Sequence, residues 1–525
     1  MNSNYFMVSK RAMPWAIALA FASAGSVNAA EIAKGVRETA VHFGKADVLI
    51  ALSAKAPKQL LRTDGTYIER RVALVDLLRA TADVSQKNIR RWLDAEGVAY
   101  RSYWINNTIQ AELTVEQMDV LAMRGDVEHI VGNNPIRQKL VVEESSSQTV
   151  LPQPNAAGAL EWGVAKVNAA GVWNAGITGK GVVISGQDTG IRWTHAAIKK
   201  KYRGWDASTE TVDHNYNWHD AVHAPLLGGS CGADTIVPCD DNGHGTHTIG
   251  TMLGDDENPI AAQRNQTGVA PGAEWIGCRN MNAGDGRPAY YNECSQWLLA
   301  PTDLTGANPR PDLAPDIVSN SWGCPASEEC TAGDEVKAAI DALVEGGILF
   351  VAAAGNGTNA CGGIIDQPST LDSAFVIGAT DINDRLASYS LRGPVPGVVR
   401  IRPDLSAPGS NVRSATRSSD TAYASLSGTS MATPHVAGVA ALLLEANPNL
   451  KGNPRAVEEI LRSTATTEGI LNQAGTTPPT VCGGTLVTSW PNYLIGFGRV
   501  NAFAAFSKAE KIMANGFDDP APPVN

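Results

Sequence analysis

The sequence predicts an α/β protein whose main body is a mostly parallel sheet covered by helices, preceded by a small α+β unit. Three observations predict this. Beyond residue 158, largely apolar runs that end in small or polar residues alternate with helical patterns. Buried strands alternating with helices imply a parallel sheet covered on both faces. Upstream, residues 141–158 (VVEESSSQTVLPQPNAAG) are Ser- and Pro-rich without periodicity, a linker that separates two bodies and is open to nicking. At 525 residues the chain is long enough for one large domain and at least one smaller one.

Residues 1–29 read as a secretory signal peptide. Lys10 and Arg11 precede a mainly apolar run from Ala12 to Ala24, and Val27-Asn28-Ala29 offers small residues for cleavage. That run is too short to span a bilayer, with an uncleaved anchor as the alternative. No later uninterrupted apolar stretch reaches about 18 residues, so a soluble, exported mature chain with no membrane contact is expected. All eight cysteines lie at or beyond Cys231, and an even number behind an export signal predicts disulfides. The close pairs Cys231/Cys239 and Cys324/Cys330 are candidates for local bridges.

Residues 30–140 form the small unit. Ala46–Leu52 (ADVLIAL) is a strand, and Val72, Leu74, Val75, Leu77 and Leu78 mark a long helix. Tyr103-Trp104-Ile105 follows. Thr114-Val115-Glu116-Gln117 has the spacing of a capping box and opens a second helix. Glu128–Val131 is another strand. No reactive centre is visible here; His129 stands alone and reads as structural.

Residues 159–507 form the large domain. GVVISGQDTG (181–190), DIVSNSWG (316–323), ILFVAAAGN (348–356) and AFVIGAT (374–380) are its strand candidates. Val336, Ala339, Ile340, Leu343 and Val344 make one apolar helical face. The tail, residues 508–525, ends in DDPAPPVN and is expected to be extended. A hydrophobic content of 43% and a charged content of 18% fit a globular chain, and the net charge of −11 leaves no basic excess for nucleic acid. A monomer is expected.

In parallel sheets ligands gather beyond the carboxyl ends of the strands, where Asp188, Ser321 and Asn356 fall. Among hydroxyls, Ser230 lies in a G-x-S-x-G pattern but lacks the preceding strand and following helix of a nucleophile elbow. It leaves an esterase as one competing reading, and a binding protein without turnover is another. Gly355–Ala360 matches a dinucleotide fingerprint, yet no helix pattern follows. Ser430 is different: it opens a helix pattern from Met431 to Glu445, where free amides favour negative charge. His435, five residues on, points about 140° away from it. The base must come from elsewhere, and His244, flanked by glycines, is the candidate. His244 and His247 lack the spacing of the helical zinc motif, and His214, His219 and His223 read as solvated surface rather than a metal cluster.

Asp188 in ISGQDTGI, His244 in NGHGTHTIGT and Ser430 in GTSMATPHVAG resemble the three active-site blocks of the subtilases, the subtilisin-like serine proteases, in that family's order. AAAGN (352–356) resembles the block that carries the family's oxyanion asparagine. KYRGWD (201–206), CSQWLLAPTD (294–303), SNSWG (319–323) and RPDLSAPG (402–409) look most like bacillopeptidase F-type members. The resemblance implies a three-layer subtilisin-like fold and a secreted endopeptidase acting on polypeptide substrates. It implies Ser430 as nucleophile, His244 as base, Asp188 as its orienting partner and Asn356 as oxyanion donor. Ser321, Trp322 and Gly323 would pair with an extended peptide. Residues 30–140 look like the family's propeptide, an intramolecular chaperone and inhibitor, with maturation somewhere in roughly 140–160. No cofactor is implied for the chemistry; a structural calcium ion is the family's common addition, with Asp240 and Asp241 as candidate ligands or else plain turn formers.

Overall fold

A computed structural model describes residues 29–61, 63–142, 158–224, 228–325, 334–358, 360–470, 481–486 and 488–515. The expected signal segment up to Asn28, most of the linker (143–157) and Cys330 lie outside these residues.

The N-terminal unit runs β1 (Glu31–Ile32), α1 (Lys34–Phe43), β2 (Ala46–Leu52), α2 (Tyr67–Ser85), α3 (Lys87–Ala95), β3 (Tyr100–Tyr103), β4 (Thr108–Leu113), α4 (Val115–Ala122), β5 (Val127–Gly132) and β6 (Ile136–Arg137). The expected capping box at Thr114 and Gln117 is formed, and a second joins Thr66 and Glu69 at the start of α2. Strands β1 to β5 make one sheet in the order β1-β5-β2-β4-β3. Its own core holds Val48, Ile50, Ile89, Ile109 and Ile130, each with no exposed surface.

The large domain is built on β7 (Val183–Asp188), β8 (Trp218–Asp220), β9 (Glu274–Arg279), β10 (Met281–Asn282), β11 (Asp285–Gly286), β12 (Ile317–Asn320), β13 (Leu349–Ala353), β14 (Phe375–Thr380) and β15 (Leu405–Pro408). Its helices include α5 (His244–Leu253), α6 (Pro288–Leu299), α7 (Glu335–Glu345), α8 (Thr429–Ala446) and α9 (Ala502–Asn515). The central sheet has seven strands in the order β8-β9-β7-β12-β13-β14-β15, all parallel. Because side chains alternate across a strand, each central strand feeds two cores. Val351, Phe375 and Ile377 face the side of α8, whereas Phe350, Ala352 and Val376 face that of α6 and α7. This gives three layers. Helix α8 is buried from Thr429 to Leu444, which explains its lack of a polar face.

Three expectations need correction. Helix α9 runs on to Asn515, so the first part of the segment expected to be extended is helical. His129 does not stand alone: its Nε2 is bonded to Glu335 at the start of α7. His214, His219 and His223 are not solvated surface. His214 Nδ1 lies 2.9 Å from the Tyr202 hydroxyl, while His219 and His223 hold the two oxygens of largely covered Glu293 at 2.9 and 2.8 Å. Burial alone would raise the Glu293 pKa, but the two imidazoles outweigh it and bring it down to about 2.

Disulfides join Cys231 to Cys239, Cys278 to Cys294 and Cys361 to Cys482, and Cys324 is also disulfide-bonded.

The N-terminal unit sits on the helix starts of the large domain. Asn133 Oδ1 accepts from the Ala289 amide at 2.9 Å and so caps α6. Trp104 N–H donates to Gln296 Oε1 at 2.6 Å, and Tyr103 O–H to Glu293 Oε2 at 3.3 Å. Buried Arg71 donates to the Gly346 and Pro311 carbonyls at 2.6 and 3.2 Å. Leu74, Val75 and Leu78 of α2 join the same apolar cluster as Leu298 and Ile340.

The hydrogen bond to Glu335 raises the His129 pKa above 6.5 against partial burial. A raised value means that this contact is at full strength below about pH 6.5 and fades as pH rises through it. In a Ser430→Ala chain, His129→Gln should cost on the order of 1 kcal/mol at mildly acidic pH and almost nothing at alkaline pH. Urea midpoints at the two pH values check this.

Candidate active site

The carboxyl edge of the sheet gathers the predicted polar groups. Asp188 is the last residue of β7 and only 3% exposed. His244 is the first residue of α5, and Gly243 before it has a φ of +107°. Gly245 lets this helix start press on the end of β7: a Cβ there would meet the Gly190 carbonyl at 2.1 Å. Asp188 Oδ1 and Oδ2 consequently reach His244 Nδ1 at 2.7 and 2.9 Å. Asp188 Oδ1 also accepts from the Thr189 amide at 2.7 Å. His244 Nε2 is buried without a hydrogen-bond partner among the described residues.

Asp240 organises the turn before His244. Its Oδ1 accepts from Thr189 Oγ1 and the Asn242 and Gly243 amides at 3.0, 3.0 and 2.7 Å. Its Oδ2 accepts from the Thr246 amide and hydroxyl at 3.0 and 2.6 Å. Burial raises the Asp240 pKa, and these five donors oppose the shift. Asp241 accepts from the Ala283 amide at 2.7 Å and from buried Arg279 at 2.5 Å. Asp240 is thus saturated by protein donors and Asp241 is committed to a buried cation, so neither suits a calcium ion, which needs oxygens free to coordinate. Among the described residues no group of three or more His, Cys, Asp or Glu could hold a metal.

Ser430 is the second residue of α8, where backbone N–H groups lack intrahelical acceptors. Its Oγ donates to the Ser321 carbonyl at 3.2 Å, and Ser321 Oγ donates to the Ser430 carbonyl at 3.2 Å. Asn356 Oδ1 accepts from the Thr429 amide and hydroxyl at 2.9 and 3.0 Å. That fixes the amide orientation, so Nδ2 faces the cleft and donates to the Lys139 carbonyl at 3.0 Å. His435 takes no part: its Nδ1 is 2.8 Å from the Met431 carbonyl, and burial lowers its pKa to about 4. His247 is likewise buried, with Nε2 at 3.0 Å from the Val412 carbonyl, far from any metal arrangement. Ser230 lies exposed in an irregular loop, and the described residues on either side of it form neither a strand directly before it nor a helix directly after it.

The cleft is occupied by the chain's own residues 136–142. Strand β6 pairs antiparallel with β11, matching Arg137 to Asp285 and Ile136 to Gly286. Gln138 N–H donates to the Gly284 carbonyl at 2.9 Å, and Val142 N–H to the Ser427 carbonyl at 2.8 Å. Ser321, Trp322 and Gly323 flank this segment, but the contact is from the Gly323 amide to Gln138 Oε1 at 3.2 Å. The main-chain pairing seen here belongs to Asp285 and Gly286. Sequence reasoning missed them; the only signal was the A-G-D-G turn just before a helix.

A model of the Subtilase family matches residues 179–481, more than half of the chain. The chain belongs to the subtilase family. It is 36% identical over 492 residues to Bacillopeptidase F of Bacillus subtilis (strain 168), covering 90% of this chain and 31% of that protein. The chain therefore spans about a third of the length of that relative. It is 31% identical over 376 residues to M-protease of Shouchella clausii (strain KSM-K16), covering 70% of this chain and 76% of the relative. Subtilisin Savinase of Lederbergia lenta is 33% identical over 328 residues, 61% of this chain and 96% of the relative. The three-layer fold on a parallel sheet is that of a subtilase, and the subtilases are serine proteases that need no cofactor for catalysis.

Within this subtilase, Asp240 couples the His244 turn to Thr189, next in sequence to Asp188. Asp240→Ala would strand buried donors and should lower stability by about 3 kcal/mol. Urea denaturation in a Ser430→Ala background measures it; a loss below about 1 kcal/mol would mean that the turn stands without its carboxylate.

Proposed function

We propose that this subtilase is a secreted endopeptidase, made as an autoinhibited precursor, that cleaves peptide bonds through Ser430, His244 and Asp188. One observation carries the reading: Asn356 Nδ2 grips a peptide carbonyl, that of Lys139, beside Ser430 at the start of α8. A substrate carbonyl needs this position when its oxygen becomes negative.

Released from the Ser321 carbonyl, Ser430 Oγ gives its proton to His244 Nε2, which has no hydrogen-bond partner among the described residues. Oγ then attacks the carbonyl carbon, and the negative oxygen is held by Asn356 Nδ2 and the Ser430 amide, helped by the positive end of α8. His244 passes the proton to the leaving amine, giving an acyl-enzyme. Asp188 holds the imidazole tautomer through Nδ1 and stabilises its cation. Water, activated by the same imidazole, hydrolyses the ester.

Residues 30–140 act as propeptide in this reading: their globular part docks on α6 and α7, and their last residues fill the cleft. The apolar run at 12–24 and the disulfides support export.

With casein as substrate, Ser430→Ala should lower turnover by roughly 10⁴-fold or more, and Asn356→Ala by about 10²–10³-fold. Retained activity in Ser430→Ala would remove the proposed nucleophile. Expression without residues 30–140 should give little folded enzyme; a normal yield, read by circular dichroism and activity, would refute the propeptide role.

A further inference from the structure

Beside Ser430 and Asn356 opens a cavity of about 290 Å³. Its walls from the large domain are Trp322, Gly323, Ala353, Ala354 and Gly355, with Asp366 as the one ionisable side chain that this domain contributes among the described residues. The Asp366 carboxylate stands close to the substrate-flanking backbone: a Cβ at Gly323 would lie 3.6 Å from Asp366 Cβ and 4.0 Å from its Oδ2.

We propose that Asp366 makes this cavity a receptor for the side chain of a Lys or Arg residue whose carboxyl-side bond is cleaved, and that Lys139 is the first such residue the enzyme meets. This rests on the proteolytic reading above. It adds the substrate class, polypeptides with a basic residue before the cut bond, and the chain's own processing bond, Lys139–Leu140.

Three features carry it. A buried or half-buried carboxylate in this molecule is characteristically matched: Asp241 with Arg279, Asp404 with Arg400 and Arg402, Glu293 with two histidines. Asp366, half-buried, has no ion pair or hydrogen bond among the described residues. Burial alone pushes its carboxyl above the usual range, and an arriving cation would reverse that shift. A carboxylate that is the one charge its domain brings to a pocket discriminates for a cation, because any neutral guest leaves it desolvated and unpaired.

The main chain of Lys139 meets the geometric requirement, while its exposed ammonium makes no ion pair with Asp366. The carbonyl held by the oxyanion donor belongs to the residue before the cut bond, and Asn356 holds that of Lys139. Lys139 also lines the same cavity as Asp366, with an exposed side chain at its rim. In processing, a Ser430 Oγ to Lys139 carbon bond forms as the bond to the Leu140 nitrogen breaks. The Ser430 proton passes through His244 to the Leu140 amine, and water then releases the Lys139 carboxylate.

The full-length chain, allowed to mature, should give a protein whose N-terminus on Edman sequencing is Leu140. A first cut after Leu140 or further along would remove Lys139 from the pocket. Against a peptide library varied at the residue before the cut, kcat/KM should favour Lys and Arg over Leu by about 10-fold or more. Asp366→Asn should lower that ratio by about 30-fold or more, and Asp366→Lys should turn it toward Glu and Asp. Equal cleavage after Lys and Leu, or a ratio unchanged in Asp366→Asn, would overturn the proposal while leaving the protease reading intact. No Ser430-dependent cleavage of any peptide would instead sink the protease reading itself.

Discussion

Asn356 Oδ1 accepts from both the amide and the hydroxyl of Thr429, and this pair of bonds ties the end of β13 to the start of α8. From the neighbouring strand, Ser321 exchanges two hydrogen bonds with Ser430. The first turn of α8 is thus pinned between the carboxyl ends of adjacent strands, and the rest of the helix is locked by burial on every side. Asp188 ends β7, on the other side of β12. With neighbouring strands about 4.8 Å apart, the strand ends that carry Asp188 and Asn356 stand roughly 10 Å apart. The spacing of the sheet sets the spacing of the site.

Charges in this molecule are handled by position. Arg279 closes β9 fully buried and is acceptable there because Asp220 and Asp241 face it at 3.0 and 2.5 Å. Asp240, a few residues before His244, is stabilised by five hydrogen bonds instead of a cation. Glu293 is balanced by two imidazoles below the N-terminal unit. Against that background the bare carboxylate of Asp366 stands out as one left for a guest.

Much of this was legible in the sequence wherever a local pattern carries the information. The runs around Ile184, Val318, Val351 and Val376 are apolar enough to read as buried strands, and Thr114 with Gln117 gives away its helix within four residues. The motif blocks located Asp188, His244, Asn356 and Ser430, and the structure brings all four to one edge. What stayed hidden depends on partners far along the chain. Strands β8 and β9 contain His219, Asp220 and Arg279, polar residues whose burial makes sense only once Glu293 and Asp241 are seen opposite. Strand β15, LSAP, is short and ends in proline. His129 meets Glu335 across 206 residues, and Asp285–Gly286 becomes a strand only because residues 136 and 137 lie against it. The helix through Asn515 was obscured by the proline-rich residues after it, although AFAAFSKAEKIMAN is rich in strong helix formers.

The docking of the N-terminal unit has a consequence for timing. On the proposed reading inhibitor and cleft share one molecule while the chain is continuous, and covalent linkage would hold such a pair at an effective concentration of order millimolar. Were the peptide bond in the cleft cut, the same contacts, among them Arg71 on the Gly346 carbonyl and Asn133 on α6, would have to hold two separate bodies together. Occupancy then depends on bulk concentration, which falls steeply when protein leaves a confined compartment for open medium. Dilution itself would then be the trigger: crowded molecules would stay silent, and dispersed ones would lose their inhibitor.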